Sequence, residues 1–247
     1  MANGNVVQGQ GELRSTAPTK SRIKLQSAPG VEREIEHSTI DGLAVFEGDI
    51  VLSRGLETLG VAITGPGVRW PNKTVVFEID PGLPNPERVT RAIEHWEQHT
   101  VIKFKTRTTE RDFVVFRSGG GCSSAVGRIG GVQFITLGPG CTVGNAIHEI
   151  GHTVGLWHEQ SREDRDTFVT IKFDNIQADF AHNFNQHITD GDDVGDYDYG
   201  SIMHYPSDAF AIDRTKPTIV TPHGEPVGQR LALSPGDIAA VTAIYTT

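Results

Sequence analysis

The chain has 247 residues, which is enough for one large domain or for a medium-sized domain with an extension. Its hydrophobic content of 37% and charged content of 21% are ordinary for a globular protein, and it lacks the long apolar stretch of a membrane helix. The formal net charge of −9 argues against nucleic acid as the main partner, because phosphate binding favours a basic face. We therefore expect neither a nucleic acid nor a membrane partner.

The first sixty residues differ in composition from the rest. They are polar with scattered glycine and proline, and their one convincing apolar run spans residues 42–52. We interpret this region as an extended segment without a core of its own. Its start, MANGNVVQGQGELRS, lacks the apolar stretch of a secretory signal, so either the protein is not exported or the signal is absent from this chain.

From residue 70 onward, short strands and helices are predicted. β-branched and aromatic runs bounded by turn residues indicate strands at residues 74–79, 101–105, 113–116 and 132–137. NPERVTRAIEHWEQHT has apolar residues at helical spacing, with Asn85 as the expected N-cap. A second helix surrounds Ile147, and a last one lies in LSPGDIAAVTAIY, where Ser234 can cap. We expect a sheet with the first helix packed on it.

The stretch HEIGHTVGLWH has the residues of a metal site. His148 and His152 are four residues apart, so on a helix they lie on the same face, where two imidazoles can bind one zinc ion. Gly155 can end the helix in the left-handed conformation, which allows His158 to return as a third ligand. Three protein ligands leave the fourth position for water, as in catalytic zinc sites.

Glu149 adjoins the first ligand but points roughly 100° around the helix, so it can reach a water on the metal without binding the metal. Zinc lowers the pKa of its bound water from about 15.7 to about 7. Glu149 would take the proton of that water and pass it to the leaving amine. Because the metal also polarises a carbonyl oxygen, the predicted target is an amide bond.

A second histidine pair tests this interpretation. His95 and His99 have the same spacing, but no glutamate follows the first and no glycine-then-histidine follows the second, so we interpret them as ordinary surface residues. By contrast, the five specified positions of H-E-x-x-H-x-x-G-x-x-H coincide by chance on the order of once in ten thousand chains.

With this motif, the sequence resembles the metzincin zinc peptidases and, within them, the astacin family. Glu159, directly after the third histidine, and the segment SIMHYP are astacin-like features. The resemblance runs from about residue 61 to the C-terminus. It implies an α+β catalytic domain of two subdomains, with a twisted, mainly parallel five-stranded sheet, two long helices and an irregular C-terminal part, preceded by a mostly extended pro-segment. It also implies one zinc ion per chain and polypeptide substrates.

The resemblance assigns roles to further residues. Met203 would form the apolar floor under the zinc, and Tyr205 would be a mobile ligand that leaves the metal to stabilise the transition state. The edge strand that pairs with an extended substrate would lie near GGGCSSAVG, where Ser123 and Ser124 offer backbone hydrogen bonds.

Counting alone leaves Cys122 and Cys141 as one disulfide or two free thiols. The resemblance implies that they pair, since they match the disulfide within the N-terminal half of astacins. The second disulfide of astacins, which ties the start of the domain to its C-terminal part, has no cysteines in this chain.

Astacin pro-segments carry an F-x-G-D motif whose aspartate occupies the fourth zinc position. Residues 46–49, Phe-Glu-Gly-Asp, match it, and Gly48 would let the backbone approach the metal. The alternative is an ordinary turn, because Gly-Asp is common in loops. The resemblance therefore implies a zymogen, with residues 1–60 as an inhibitory pro-segment, residues 61–247 as the peptidase domain, and Asp49 as a zinc ligand in the zymogen alone.

Activation would then need another protease. The resemblance places the new N-terminus near Val61 or Ala62, buried and paired with Glu159. Arg54 is the better-placed basic residue for a first cut, and Arg69 is the other candidate. We predict a secreted endopeptidase.

Other interpretations remain open. A non-catalytic zinc-bearing module that binds peptides would be marked by loss of Glu149, which is present. Another amide or ester hydrolase could use the same zinc site. The five aspartates in TDGDDVGDYDYG indicate either a calcium site or a solvated acidic loop, and their spacing does not fit an EF-hand.

Overall fold

The computed structural model describes residues 21–28, 31–40, 43–52, 66–186 and 193–246. The described residues before position 53, here called the N-terminal segment, form four strands: β1 (Ser21–Ala28), β2 (Val31–Ile40), β3 (Leu43–Phe46) and β4 (Ile50–Leu52). Each strand pairs antiparallel with the next one along the chain. The segment is thus extended, as predicted.

The apolar run of the N-terminal segment is buried against residues 66–246, here called the main body. Phe46, Ile50 and Leu52 are buried and form one cluster, and Val126 and Trp157 of the main body pack against it. The rings of Phe46 and Trp157 meet edge to face, with centroids 6.3 Å apart. This part of the segment therefore obtains its apolar partners from the main body.

A five-stranded sheet forms the first half of the main body. Its strands are β5 (Thr74–Ile79), β6 (Lys103–Thr106), β7 (Phe113–Arg117), β8 (Cys122–Ser123) and β9 (Val132–Leu137). The order is β6-β5-β7-β9-β8; the first four are parallel, and β8 pairs antiparallel with β9 at the edge. The predicted strand runs are all present, within two residues of their expected ends.

Two helices, α1 (Glu87–His99) and α2 (Val143–Val154), share one apolar core with the sheet. Trp96 of α1 is fully buried, and its indole N–H donates to the carbonyl of Ile147 in α2 at 3.0 Å. The prediction that Asn85 is the N-cap of α1 was wrong. Asn85 has a left-handed φ of 52°, and the N-cap position is taken by Pro86, which makes no side-chain cap.

The turn before α2 is fixed by a disulfide and by a buried arginine. Cys122 of β8 is bonded to Cys141, with their Cα atoms 6.0 Å apart. Arg88 of α1 donates to the carbonyl oxygens of Cys141 and Gly138, both at 2.7 Å, and of Leu137 at 3.1 Å. The start of α2 is therefore held to both the sheet and α1.

The C-terminal half is less regular, as predicted. It contains the two-residue strands β10 (Thr170–Ile171) and β11 (Ile219–Val220), which pair antiparallel, and the final helix α3 (Pro235–Thr246). Short 3-10 helices account for Pro66–Val68, Pro71–Lys73, Glu159–Ser161, Arg165–Thr167, Phe173–Asn175 and Ala178–Phe184. Among the helices in the described ranges, none has the length and apolar character needed to cross a bilayer.

This half has a second apolar core, separate from the core under the sheet. Its members include Val169, Phe180, Phe184, Phe210 and Tyr205. Helix α3 instead joins the first core, and the hydroxyl of Tyr245 donates to the carbonyl of Val154 at the end of α2. Ser234 accepts from the Asp237 amide at 2.9 Å, as its predicted capping role requires.

Candidate active site

Four buried side chains, those of Asp49, His148, His152 and His158, meet between the two cores. One ligand atom from each lies within 4.8 Å of the others. Oxygens of Asp49 lie 3.2 Å from Nε2 of His148, 3.7 Å from Nε2 of His152 and 3.3 Å from Nε2 of His158. Ligands at the corners of a tetrahedral zinc site, with bonds of about 2.0–2.1 Å, are about 3.3 Å apart. The cluster is therefore able to bind one zinc ion.

Helix α2 sets the positions of the first two histidines. Thr142 and Asn145 form a capping box at its start, and Gly155 ends it with a left-handed φ of 116°. The Gly155 amide donates to the carbonyl of His152 at 2.8 Å, which closes the last turn. The chain then reverses, and the ring of His158 lies with its centroid 4.7 Å from that of His152.

Each ligand histidine has an acceptor for its other ring nitrogen. Nδ1 of His148 donates to the Ile202 carbonyl at 2.8 Å, and Nδ1 of His152 donates to the Leu156 carbonyl at 2.8 Å. Because a carbonyl oxygen can only accept, the Nδ1 atoms carry the hydrogens and the Nε2 lone pairs face the cluster. Burial also lowers the pKa of His152 well below its ordinary value, which favours the neutral, metal-binding imidazole.

The hydrogen bonding of two buried atoms in the cluster indicates that a metal ion binds there. Among the described residues, neither Nε2 of His152 nor Oδ1 of Asp49 has a hydrogen-bond partner, although both atoms are buried. A buried polar atom normally has a partner, and a shared cation would satisfy both atoms at once. The donor set of three imidazoles and one carboxylate is also one that zinc prefers.

The charge balance around His158 also favours a bound metal ion. Burial alone would lower the pKa of His158, but the carboxylates of Asp49 and Glu47 outweigh it and raise the pKa to about 9. Burial would raise the pKa of Asp49, yet the positive charge of His158 and the hydrogen bond that it donates hold the pKa well below its usual range. Two buried carboxylates thus require positive charge between them, which a zinc ion supplies in place of the proton.

Glu149 follows the first ligand on α2 and is fully buried, and it is not among the four ligands of the cluster. Met203 lies against the opposite side of this helix. A Cβ atom added to Gly151 would lie 2.6 Å from Sδ of Met203, so the methionine packs closely against the helix beside His152 and would have to shift to admit a larger residue at position 151.

Tyr205 lies beside the third ligand, with its ring centroid 4.6 Å from that of His158. Its hydroxyl donates to the backbone carbonyl of Glu47 in the N-terminal segment. Its amide donates to the side chain of Gln160 at 3.0 Å. In this structure the tyrosine hydroxyl is therefore engaged by the segment.

The N-terminal segment also pairs with the sheet edge at Ser124. The Ser124 amide donates to the Asp49 carbonyl at 3.0 Å, and the Val51 amide donates to the Ser124 carbonyl at 2.8 Å. Ser123 instead pairs with Thr136 inside the sheet. Of the two predicted edge residues, Ser124 thus lies against the segment.

Glu159 accepts from the Asp198 amide at 2.8 Å and lies 3.5 Å from Arg162. Burial raises its pKa to about 8. The residues expected to pair with it, Val61 and Ala62, lie outside the described residues, as does the expected cleavage residue Arg54.

Glu47, the variable residue of the F-x-G-D motif, lies in the site although it was not predicted there. Its carboxylate is fully buried and accepts from Nδ1 of His158 at 2.7 Å and from Oγ of Ser161 at 2.6 Å. The available signal was a carboxylate inside the otherwise apolar run VFEGDI, two residues before Asp49. Such a group needs a buried donor.

The remaining candidates have structural partners. His95 accepts from the Leu233 amide at 3.1 Å, and His99 bonds the His95 carbonyl at 2.8 Å. In the acidic loop, Asp193 accepts from the amides of Glu163 and Asp164, while residues 187–192 lie outside the described ranges. The question of calcium at this loop therefore stays a prediction.

His204 provides a pH test of the packing behind the site. Its Nδ1 donates to the Tyr205 carbonyl at 2.7 Å, and its Nε2 accepts from the Tyr197 hydroxyl at 2.8 Å. Burial lowers the pKa of His204 to about 4. Because the unfolded chain then binds a proton that the folded chain does not, stability should fall from about pH 6.5 to pH 4, by up to about 3 kcal/mol.

We expect the His204→Asn variant to lose this part of the pH dependence, because asparagine keeps a donor toward Tyr205 and does not titrate. Urea unfolding of both zinc-free proteins between pH 4 and 7 checks it. The ligand histidines are common to both chains, so their contribution cancels in the difference. Parallel stability curves would contradict the prediction.

Comparisons with known proteins agree with this geometry. Residues 62–246 match the model of the Astacin peptidase family. The chain is 40% identical to astacin-like metalloprotease toxin 1 of Loxosceles intermedia, over 83% of this chain and 82% of that protein. It is 37% identical to the human meprin A subunit beta over 83% of this chain, which is 30% of that longer protein.

A solved structure gives the same result. High choriolytic enzyme 1, a hatching enzyme zinc-protease from the medaka fish Oryzias latipes, superposes with a TM-score of 0.66 and 34% identity. The alignment covers 72% of this chain and 92% of that one. With the family match over most of the chain and a three-histidine, one-aspartate cluster for zinc, this chain belongs to the astacin family of zinc metalloendopeptidases.

Proposed function

We propose that the protein is a secreted endopeptidase that is made as a latent zymogen. In this proposal residues 1–60 are the pro-segment and residues 61–247 are the peptidase domain. The observation that carries it is Asp49, which reaches from the N-terminal segment into the cluster of three histidines. A non-catalytic peptide-binding module is the alternative, and it would leave the buried Glu149 without a role.

His148, His152 and His158 would hold the zinc ion in the active enzyme. When bound, zinc supplies a Lewis acid that polarises the scissile carbonyl and makes water acidic enough to lose a proton at neutral pH. Glu149 would take that proton and deliver it to the leaving amine. Its placement on α2, next to one ligand but outside the ligand set, supports this role.

Tyr205 would act as a hydrogen-bond donor to the oxygen that becomes negative in the transition state. Its hydroxyl donates to a backbone carbonyl of the N-terminal segment, which supports a position in the substrate cleft. Removal of the segment would free that donor. Met203 would act through packing alone, since it lies against Gly151 of the ligand helix.

An extended polypeptide substrate would add to the sheet edge near Ser123 and Ser124. The N-terminal segment already forms main-chain hydrogen bonds with Ser124, so this edge accepts an extended chain. The segment would therefore block the enzyme twice, once at the metal through Asp49 and once at the edge strand. The preference for particular substrate side chains would depend on the residues that line the cleft.

Activation would remove the segment by proteolysis, with a first cut by another protease at Arg54 and trimming to Val61 or Ala62. The new ammonium group would pair with Glu159. Burial raises the pKa of this carboxyl to about 8, so a nearby cation would be favourable there. Export is supported by the Cys122–Cys141 disulfide, because such bonds persist in oxidising compartments.

The test is the activity of the intact chain before and after limited trypsin treatment, measured on a generic protein substrate. We expect activity to appear after cleavage and the mature N-terminus, read by Edman sequencing, to begin no earlier than Gly55. Full activity of the uncleaved chain would contradict latency. Zinc binding without activity in either form would favour the binding module.

A further inference from the structure

Glu47 contacts three groups of the candidate active site, although the proposed block at the metal needs Asp49 alone. Its side-chain oxygens accept from Nδ1 of His158 and from Oγ of Ser161. Its backbone carbonyl accepts from the hydroxyl of Tyr205. Glu47 is fully buried, so these contacts replace its hydration.

We propose that Glu47 is a positioning residue of the latent enzyme, which orients the ring of His158 toward the metal and anchors the N-terminal segment without touching the metal. The proposal rests on the proposed function and extends it. The segment would then have two distinct carboxylates, one in the metal site and one behind it.

The partners of the three ligand histidines differ in origin. His148 and His152 donate to carbonyls of Ile202 and Leu156, which belong to the main body and remain after activation. His158 donates to Glu47, which would leave with the segment. A carboxylate behind a ligand histidine fixes the ring and raises its basicity, and losing such a partner typically lowers metal affinity by about 10–100-fold. The intact chain should therefore bind zinc more tightly than the activated enzyme.

The backbone at this position supports a specific role. Glu47 has a φ of 47° and Gly48 a φ of 80°, so two consecutive residues are left-handed. This conformation is unfavourable for a residue with a side chain and persists where surrounding contacts hold it. The resulting turn directs residues 47 and 49 into one cleft, one toward Ser161 and the other toward the histidine cluster.

Zinc competition with a chromogenic chelator tests the proposal on the full-length protein. We expect Glu47→Ala to weaken zinc binding of the intact chain by about 10–100-fold, and Glu47→Gln to fall between it and wild type, because an amide oxygen still accepts one hydrogen bond. Glu36→Gln removes the same charge elsewhere in the segment and is the control. After activation all chains should bind zinc equally, since the segment is gone. An affinity of Glu47→Ala within twofold of wild type would overturn the proposal.

A second measurement avoids any folding defect of the variants. A synthetic peptide of residues 43–52, LAVFEGDIVL, is added to the activated wild-type enzyme as an inhibitor. Alanine at position 47 should raise the inhibition constant by about tenfold or more, and this ratio should shrink on a Ser161→Ala enzyme, because the two changes remove one shared contact. An unchanged inhibition constant would overturn the role of Glu47.

The same assay separates this inference from the zymogen proposal. A peptide with Asp49→Asn tests the block at the metal alone. If that peptide inhibits as well as the wild-type sequence while the alanine-47 peptide does not, the Asp49 block is wrong and the Glu47 role stands. If the reverse holds, the Asp49 block stands and the Glu47 role is overturned.

Discussion

Replacing Glu149 with glutamine is expected to lower kcat of the activated enzyme by about 10²–10⁴-fold, which is the range that a positioned general base contributes. Glutamine keeps the shape and the acceptor oxygen of the side chain but cannot take a proton. Glu149 is outside the ligand set of His148, His152 and His158, so zinc content should not change. KM should also change little, because the lost interaction belongs to the transition state.

The measurement is kcat on a peptide substrate, with zinc content determined by metal analysis on the same samples. Glu94→Gln is the matched control, since it makes the same chemical change on an exposed face of α1. A kcat of the Glu149→Gln enzyme within threefold of wild type would rule out Glu149 as the general base. Loss of zinc together with activity would point to a structural role instead.

The parts of this protein that could be predicted from sequence are those fixed by local spacing. The strands between residues 74 and 137 follow β-branched runs, and α2 follows from an apolar pattern that ends at Gly155. His148 and His152 fall on one face because their spacing matches the helical repeat. Predicting that His158 approaches the other two histidines required one further inference, namely that the chain can reverse at Gly155.

The remaining parts depend on contacts between residues far apart in sequence. The carbonyl that accepts from His148 belongs to Ile202, 54 positions further along the chain, and the carboxylate behind His158 belongs to Glu47, 111 positions before it. Neither spacing nor propensity encodes such pairings. The start of α1 was also missed, because Asn85 is a good N-cap by type but has a left-handed backbone here.

The cleft that holds the histidine cluster lies between the two apolar cores. Helix α2 belongs to the core under the sheet, whereas Tyr205 belongs to the C-terminal core, and the histidine cluster lies between them. A segment that enters this cleft meets a sheet edge, a metal site and the tyrosine together. This explains how the short stretch of residues 43–52 can contact the metal ligands, the tyrosine and the sheet edge that the proposed reaction uses.

Replacing Asp49 with alanine is expected to raise the activity of the uncleaved chain by about 10²-fold or more. Asp49 is buried, and its carboxylate supplies the one cluster ligand that comes from the N-terminal segment. Removing one partner of a buried, charge-paired contact costs about 3–5 kcal/mol, so the fraction of molecules with an open site should rise steeply. Activity should stay below that of the cleaved enzyme, because the segment retains its hydrogen bonds with Ser124 and the contacts of Glu47.

Initial rates on a short fluorogenic peptide measure this effect, with gel analysis to show that the chain stays intact during the assay. Glu36→Gln serves as the control for charge loss in the same segment and should remain latent. The double variant Asp49→Ala, Glu149→Gln should be inactive, which assigns any new activity to this site and prevents self-cleavage. A fully latent Asp49→Ala chain that keeps its zinc would contradict the block at the metal. In that case the strand pairing at Ser124 and the Glu47 contacts would be sufficient for latency, because they hold the segment in the cleft without using the metal.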